Sequence, residues 1–203
     1  MQKRSHLLLA RSLLSDRAGR LSRPYELAFL FGSFQPDCNP FSYLKGSLRG
    51  KLFGGHTYGN SKRYVARRIR YLQSRKRWGA RHYYAMGQLT HYVADAFTWP
   101  HNPHFPGVGW EHHVYETALR LALREKLCGR GAAAPDDGKR GGVRGDLPDA
   151  LESLHERYVS EAAPGVETDI RYILAASELL MAECRPGARE EASALSDMIG
   201  DFA

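Results

Sequence analysis

The chain has 203 residues, 43% hydrophobic and 25% charged, a balance that allows one sizeable core and makes a single domain over 1–203 the expectation. Its formal charge of +7 and pI near 9.4 favour anionic partners such as phosphate esters, lipid headgroups or nucleic acid, without choosing among them. Cys38, Cys128 and Cys184 are odd in number and lack C-x-x-C spacing, which argues against a disulfide framework and against thiolate zinc binding.

At the start, MQKRSHLLLARSLLSDRAG sets basic residues ahead of an apolar stretch, but Arg11 interrupts that stretch and no small-residue cleavage site follows cleanly. The segment does not read as a signal peptide. No uninterrupted apolar run is long enough to span a bilayer, so a cytoplasmic location is expected, with any membrane contact peripheral.

Apolar residues recur at helical spacing over 5–14, 64–78, 81–97, 112–127, 147–159 and 168–183, with no comparable alternating strands. Gly32, Gly54, Gly55, Gly59 and Gly79 read as punctuation of the connections, and Pro100, Pro103 and Pro106 as keeping the segment between two central helices extended. The Gly-rich, charged stretch 129–146 reads as a flexible loop within the domain, and 184–203 as one more short helix prone to fraying. The pattern predicts an all-α, multi-helix bundle.

On the helix over 81–97, His91 and Asp95 stand four residues apart and project from one face, so both can meet one metal ion. A second helix repeats the spacing with His112 and Glu116, and His101 lies in the Pro-rich connection between them. Imidazole and carboxylate donors suit zinc, which accepts tetrahedral or five-coordinate geometry with a position left for water; iron or manganese also accept such ligands. One such pair alone is more often a surface histidine beside a solvated carboxylate. Two pairs flanking a further histidine are a stronger signal.

In order along the chain, these residues resemble the zinc-dependent phospholipase C family and its relatives, the trinuclear-zinc single-strand nucleases. The resemblance runs from His6 to Glu116, a little over half the chain. An early histidine, His6, is followed by a G-x-x-x-P-D segment from Gly32 to Asp37, and then by His56 in GGHTYGN. The H-x-x-x-D helix follows with His91 and Asp95, then His101 after Pro100, then the H-x-x-x-E helix with His112 and Glu116. The resemblance implies an all-α fold of the phospholipase C and single-strand nuclease type. It implies that Asp37, His56, His91 and Asp95 surround a first Zn²⁺, while His101, His112 and Glu116 hold a second. Asp95 would bridge to a third, which the secreted members complete with the early histidine and the amine and carbonyl of an N-terminal tryptophan; here the candidates are His6 and Met1. Asp37 has two roles in the family, zinc ligand or catalytic base positioning the attacking water. His104 is an alternative to His101, and His113 to His112. His82 and His155 match no motif position and read as surface or partly buried histidines.

Clustered zinc ions imply hydrolysis of a phosphodiester by attack of a zinc-bound hydroxide. The first reading is a phospholipase C releasing diacylglycerol and a phosphorylated headgroup. The alternatives are a single-strand nuclease on the same scaffold, acting on nucleic acid, and a metal-stabilised helical protein without turnover. No acidic residue occurs between Asp37 and Asp95, while Lys62, Arg63, Arg67, Arg68, Arg70, Arg75, Lys76, Arg77 and Arg81 accumulate there. This run reads either as a solvated helix face or, with Tyr64, Tyr71 and Trp78 interleaved, as a surface for anionic membrane or polynucleotide. Tyr83, Tyr84, Tyr92, Phe97, Trp99, Phe105 and Trp110 read as cleft lining or core. Oligomeric state is not legible.

Overall fold

The computed structural model describes residues 1–15, 21–38, 58–103, 105–107, 109–129, 146–161 and 165–188. Among them lie seven α-helices and no strand: α1 (Lys3–Ser15), α2 (Arg23–Cys38), α3 (Tyr58–Gln73), α4 (Ala80–Ala96), α5 (Trp110–Gly129), α6 (Leu147–Ser160) and α7 (Val166–Glu183), with one turn of 3-10 helix at Trp99–His101. The expected all-α architecture is observed.

Helix α4 is the axis. Every residue from Ala85 to Ala96 is buried, because α1, α2, α3 and α7 all pack against it. Its start is set by Gly79, whose N–H donates to His82 Nδ1 at 3.0 Å, a helix-start role for a histidine that no motif claims. Around α4, the helices bury one stripe each, such as Leu9, Ala10 and Leu13 of α1, or Ile170, Ile173 and Leu180 of α7, into a shared apolar core.

Helix α2 departs from the sequence reading, which placed Gly32 in a connection. Gly32 lies inside a helix, and its partner in α4 is Gly87. A Cβ at Gly87 would stand 2.1 Å from the Phe29 carbonyl oxygen, and one at Gly32 would stand 2.1 Å from that of Tyr84. The two backbones therefore meet directly, a contact made by lacking side chains, so it leaves no apolar stripe for periodicity to detect. Gly59 likewise lies inside α3.

The basic run also resolves. Lys62 pairs with Glu152 and Arg70 with Asp146 (2.8 Å), tying α3 to α6, while Arg63 and Arg67 face solvent. Trp78 is 7% exposed and its Nε1 donates to the Leu72 carbonyl at 3.1 Å; Tyr71 packs against the core and carries the Arg75 guanidinium over its ring at 4.6 Å. The lipid-inserting reading of these aromatics is thus corrected: their apolar faces are used in packing. No described helix is long and apolar enough to cross a membrane. The stretches 130–145 and 189–203, read as loop and tail, lie outside the described residues.

Candidate metal centre

The α2–α4 contact sets the inner part of the site. It brings the Ser33 carbonyl oxygen to 2.9 Å from His91 Nδ1, so that nitrogen carries the proton and Nε2 keeps its lone pair. Facing it from α1, the His6 ring stacks on His91 with centroids 3.8 Å apart. His91 Nε2 lies 3.2 Å from Asp95 Oδ2, and His6 Nε2 lies 3.2 Å from Asp95 Oδ1. Asp37, from the last turn of α2, closes this group at 3.6 Å from His91 Nε2 and 3.9 Å from His6 Nε2. The side chains of His6, His91 and Asp95 are at most 1% exposed.

The outer part comes from the turn after α4 and the first turns of α5. Glu116 Oε1 receives both His101 Nε2 at 3.2 Å and His112 Nε2 at 3.1 Å. The side chains of His101, His112 and Glu116 are 12%, 38% and 13% exposed, and with Asp37 they line a solvent-open cavity. Asp95 links the halves, its Oδ2 lying 3.9 Å from His101 Nδ1. Between them sits the Met1 amino nitrogen, 2.8 Å from Asp95 Oδ1, 2.7 Å from Glu116 Oε1 and 2.9 Å from His101 Nε2.

Electrostatics follow from this crowding. Burial, with His91 alongside, pushes the His6 imidazolium pKa down to about 3, so His6 is a neutral lone-pair donor. Burial raises Asp37. Burial also works against ionised Asp95 and Glu116. For Asp95 the amine, followed by His101, outweighs it, and for Glu116 hydrogen bonds from His101 and His112 with the amine do, so both carboxyls stay well below their usual range.

Two groups of donor atoms therefore converge, His6 with His91 and Asp95, and His101 with His112 and Glu116, each with its atoms within 4.8 Å of one another. His6, which the resemblance sets at a third ion, shares one group with His91. Zinc fits this donor set of imidazole nitrogens and carboxylate oxygens. A fit to a cation also shows in the buried His6 Nε2, Asp37 Oδ2 and Asp95 Oδ2, which make no hydrogen bond among the described residues. Of the sequence alternatives, His113 stands exposed on the cavity rim. His56 and His104 lie outside the described residues.

Sequence reasoning missed the brace behind the outer group. Asp169 of α7, fully buried, accepts hydrogen bonds from the Trp99 N–H (2.8 Å), Tyr115 Oη (2.9 Å) and Tyr158 Oη (2.7 Å). Burial raises its carboxyl to about 6 against those three donors. Asn102 donates to the Ala96 and Thr98 carbonyls and its Oδ1 faces His155 Nε2 at 3.0 Å; burial lowers His155 to about 4, so the ring is neutral and donates. An Asp in the first turn of a helix is ordinary sequence, so nothing in the chain marks Asp169 as special. Of the seven aromatics near the ligands, Tyr92 and Phe97 are core, none lines the cavity, and Trp110 is 75% exposed.

A helical scaffold that brings two adjoining sets of nitrogen and carboxylate donors together forms a candidate metal centre. Consistent with this, a family model described as zinc-dependent phospholipase C matches residues 5–165, and the chain belongs to that family. No curated protein and no solved structure matches it.

Proposed function

We propose that this chain is a phospholipase C that cleaves a phospholipid to diacylglycerol and a phosphorylated headgroup. The observation that carries the reading is the convergence of two donor groups, joined through Asp95, with the outer group and Asp37 lining one open cavity. In this reading His6, His91, Asp95 and Asp37 hold the inner zinc, with His56 the remaining candidate of the family motif, and His101, His112 and Glu116 hold the outer one. A third ion would take His6 out of the inner set and hold it together with Asp95 and a free Met1 amine. Zinc bound there supplies electrophilic activation of the phosphoryl group and a water of lowered pKa.

The chain's own residues supply position. Ser33 locks the His91 tautomer, and Asp169 with Asn102 holds the turn that presents His101. Asp37 reaches both the inner group and the cavity, where its carboxylate is placed to accept a proton from the attacking water. At the cavity mouth Lys3, Arg4 and Arg120 offer positive charge to a phosphodiester.

Elemental analysis of purified protein should find at least two zinc ions per chain. Offered phosphatidylcholine, phosphatidylglycerol and single-stranded DNA side by side, the zinc-replete protein should release diacylglycerol. Nucleotides without diacylglycerol would make it the nuclease, and two bound zinc ions without any turnover would make the site structural.

A further inference from the structure

Helix α5, which carries His112 and Glu116, also exposes a stripe that none of the other described helices covers. Trp110 is 75% exposed, Val114 48% and Leu121 54%. Spacings of four and seven residues put all three on one face. Scattered apolar residues on a surface need no explanation, but three aligned on one helix beside an open cavity do. Turning along the same helix, His113, Thr117 and Arg120 line the cavity, so stripe and mouth adjoin. Arg124 is exposed between them, and Lys3 and Arg4 stand across the mouth on α1. None of these four cations forms an ion pair among the described residues, in contrast to Lys62 and Arg70 of α3. On the far flank of the stripe lie Glu111 and Glu125. A second exposed pair, Leu27 and Phe31 of α2, is not part of the cavity lining.

We propose that this α5 face is the surface by which the protein docks on a bilayer rich in anionic phospholipid, with Trp110, Val114 and Leu121 entering the interface and the cations at the cavity mouth meeting headgroup phosphates. The inference rests on the phospholipase C reading. It moves membrane contact from the basic run over 62–81, where Tyr71 and Trp78 are packed, to the helix that bears the outer donors. A tryptophan with an apolar body and a polar N–H suits the headgroup level, and the adjoining cations match the charge of the surface. Docking in this orientation turns the cavity mouth toward the lipid.

The test uses zinc-loaded protein and unilamellar vesicles of phosphatidylglycerol and phosphatidylcholine, with hydrolysis of monomeric dihexanoyl phosphatidylcholine as a second readout. Trp110→Ser and Leu121→Ser should each weaken vesicle binding about tenfold or more, the scale of losing one buried apolar side chain. Zinc content and monomer hydrolysis should stay within twofold of wild type, as should vesicle binding by Arg63→Gln/Arg67→Gln. Wild-type fluorescence should shift to the blue on vesicles, and Trp110→Phe should abolish the shift. Unchanged vesicle binding by the stripe variants overturns the proposal, as does a shift that persists in Trp110→Phe. So does a dimer that Trp110→Ser dissociates, since the face then covers a second copy, or loss of single-stranded oligonucleotide binding in place of vesicle binding. Vesicle binding through Trp110 by a wild type that cleaves no lipid, monomeric or bilayer, supports the docking face while rejecting the phospholipase C reading.

Discussion

The two halves of the candidate centre are built differently. Three of the inner donors, His6, His91 and Asp95, come from α1 and the buried axis α4, with side chains at most 1% exposed and His91 held by a carbonyl of the tightly packed α2. The outer donors come from a single 3-10 turn and the solvent-facing start of α5, with His112 38% exposed. Core packing positions the first set. The second is positioned by a polar brace in which Asp169 of α7 holds Trp99 and His155 of α6 holds Asn102 at the end of the turn. Buried donors on a rigid helix favour retention of an ion, and exposed donors on a short turn favour exchange and access to substrate. Asp95 belongs to both, which makes it the point where the halves stop being separable.

The largest expected effect tests that sharing. Asp95→Ala should leave less than one zinc per chain and lower hydrolysis by at least about 10³-fold, since the electrophilic contribution of the metals is worth several kcal/mol. Glu116→Gln should strip the outer ion and keep the inner one. Elemental analysis of the two variants showing equal loss would mean that the halves do not bind independently.

Next comes the packing that aims the inner half. Gly87→Ala must push α4 from the α2 backbone, because the new methyl would stand 2.1 Å from the Phe29 carbonyl oxygen. The expected loss is about 3 kcal/mol in chemical denaturation, the upper range for overpacking, since backbone cannot rotate aside as a side chain can. A loss below about 1 kcal/mol would show that this contact yields.

The brace of the outer half has a pH signature. Folding holds His155 at about 4 against an unfolded value near 6.5, so the unfolded chain takes up the proton first. Its contribution is complete above about pH 6.5 and is lost as pH falls toward 4, on the order of 2 to 3 kcal/mol. His155→Gln keeps a donor for Asn102 and cannot titrate, so the wild-type stability profile should fall more steeply than the variant's over that window. Parallel profiles would place the titration elsewhere.

The smallest effect is the most selective. Asp169→Asn cannot accept from Trp99, Tyr115 and Tyr158 as a carboxylate does, and the turn bearing His101 should loosen. Outer zinc affinity should fall about tenfold, the scale of support behind metal ligands, while inner affinity stays put. Equal weakening of both, measured by chelator competition, would make Asp169 a general stability residue.

Much of this was legible because it is local. His91 with Asp95, and His112 with Glu116, are each one helical turn apart, so a spacing of four residues already implies a shared face. Six of the seven described helices announce themselves by apolar period. Helix α2 does not, since Gly32 and Ser33 meet its partner with backbone and small groups. The basic run over 62–81 was ambiguous for a related reason: period cannot tell an aromatic that packs from one that waits for lipid, and Trp78 packs.

By itself, the sequence determined the all-α class, the family pattern and the local pairs of donors, because these depend on residue identity at short separation. Only the tertiary structure decided which pairs meet. His6 and His91 lie 85 residues apart and stack, and Asp169 supports a turn far behind it in the chain. It also decided which aromatic is left outside, Trp110 and not Trp78, because exposure depends on what the other helices cover and no residue carries that information alone.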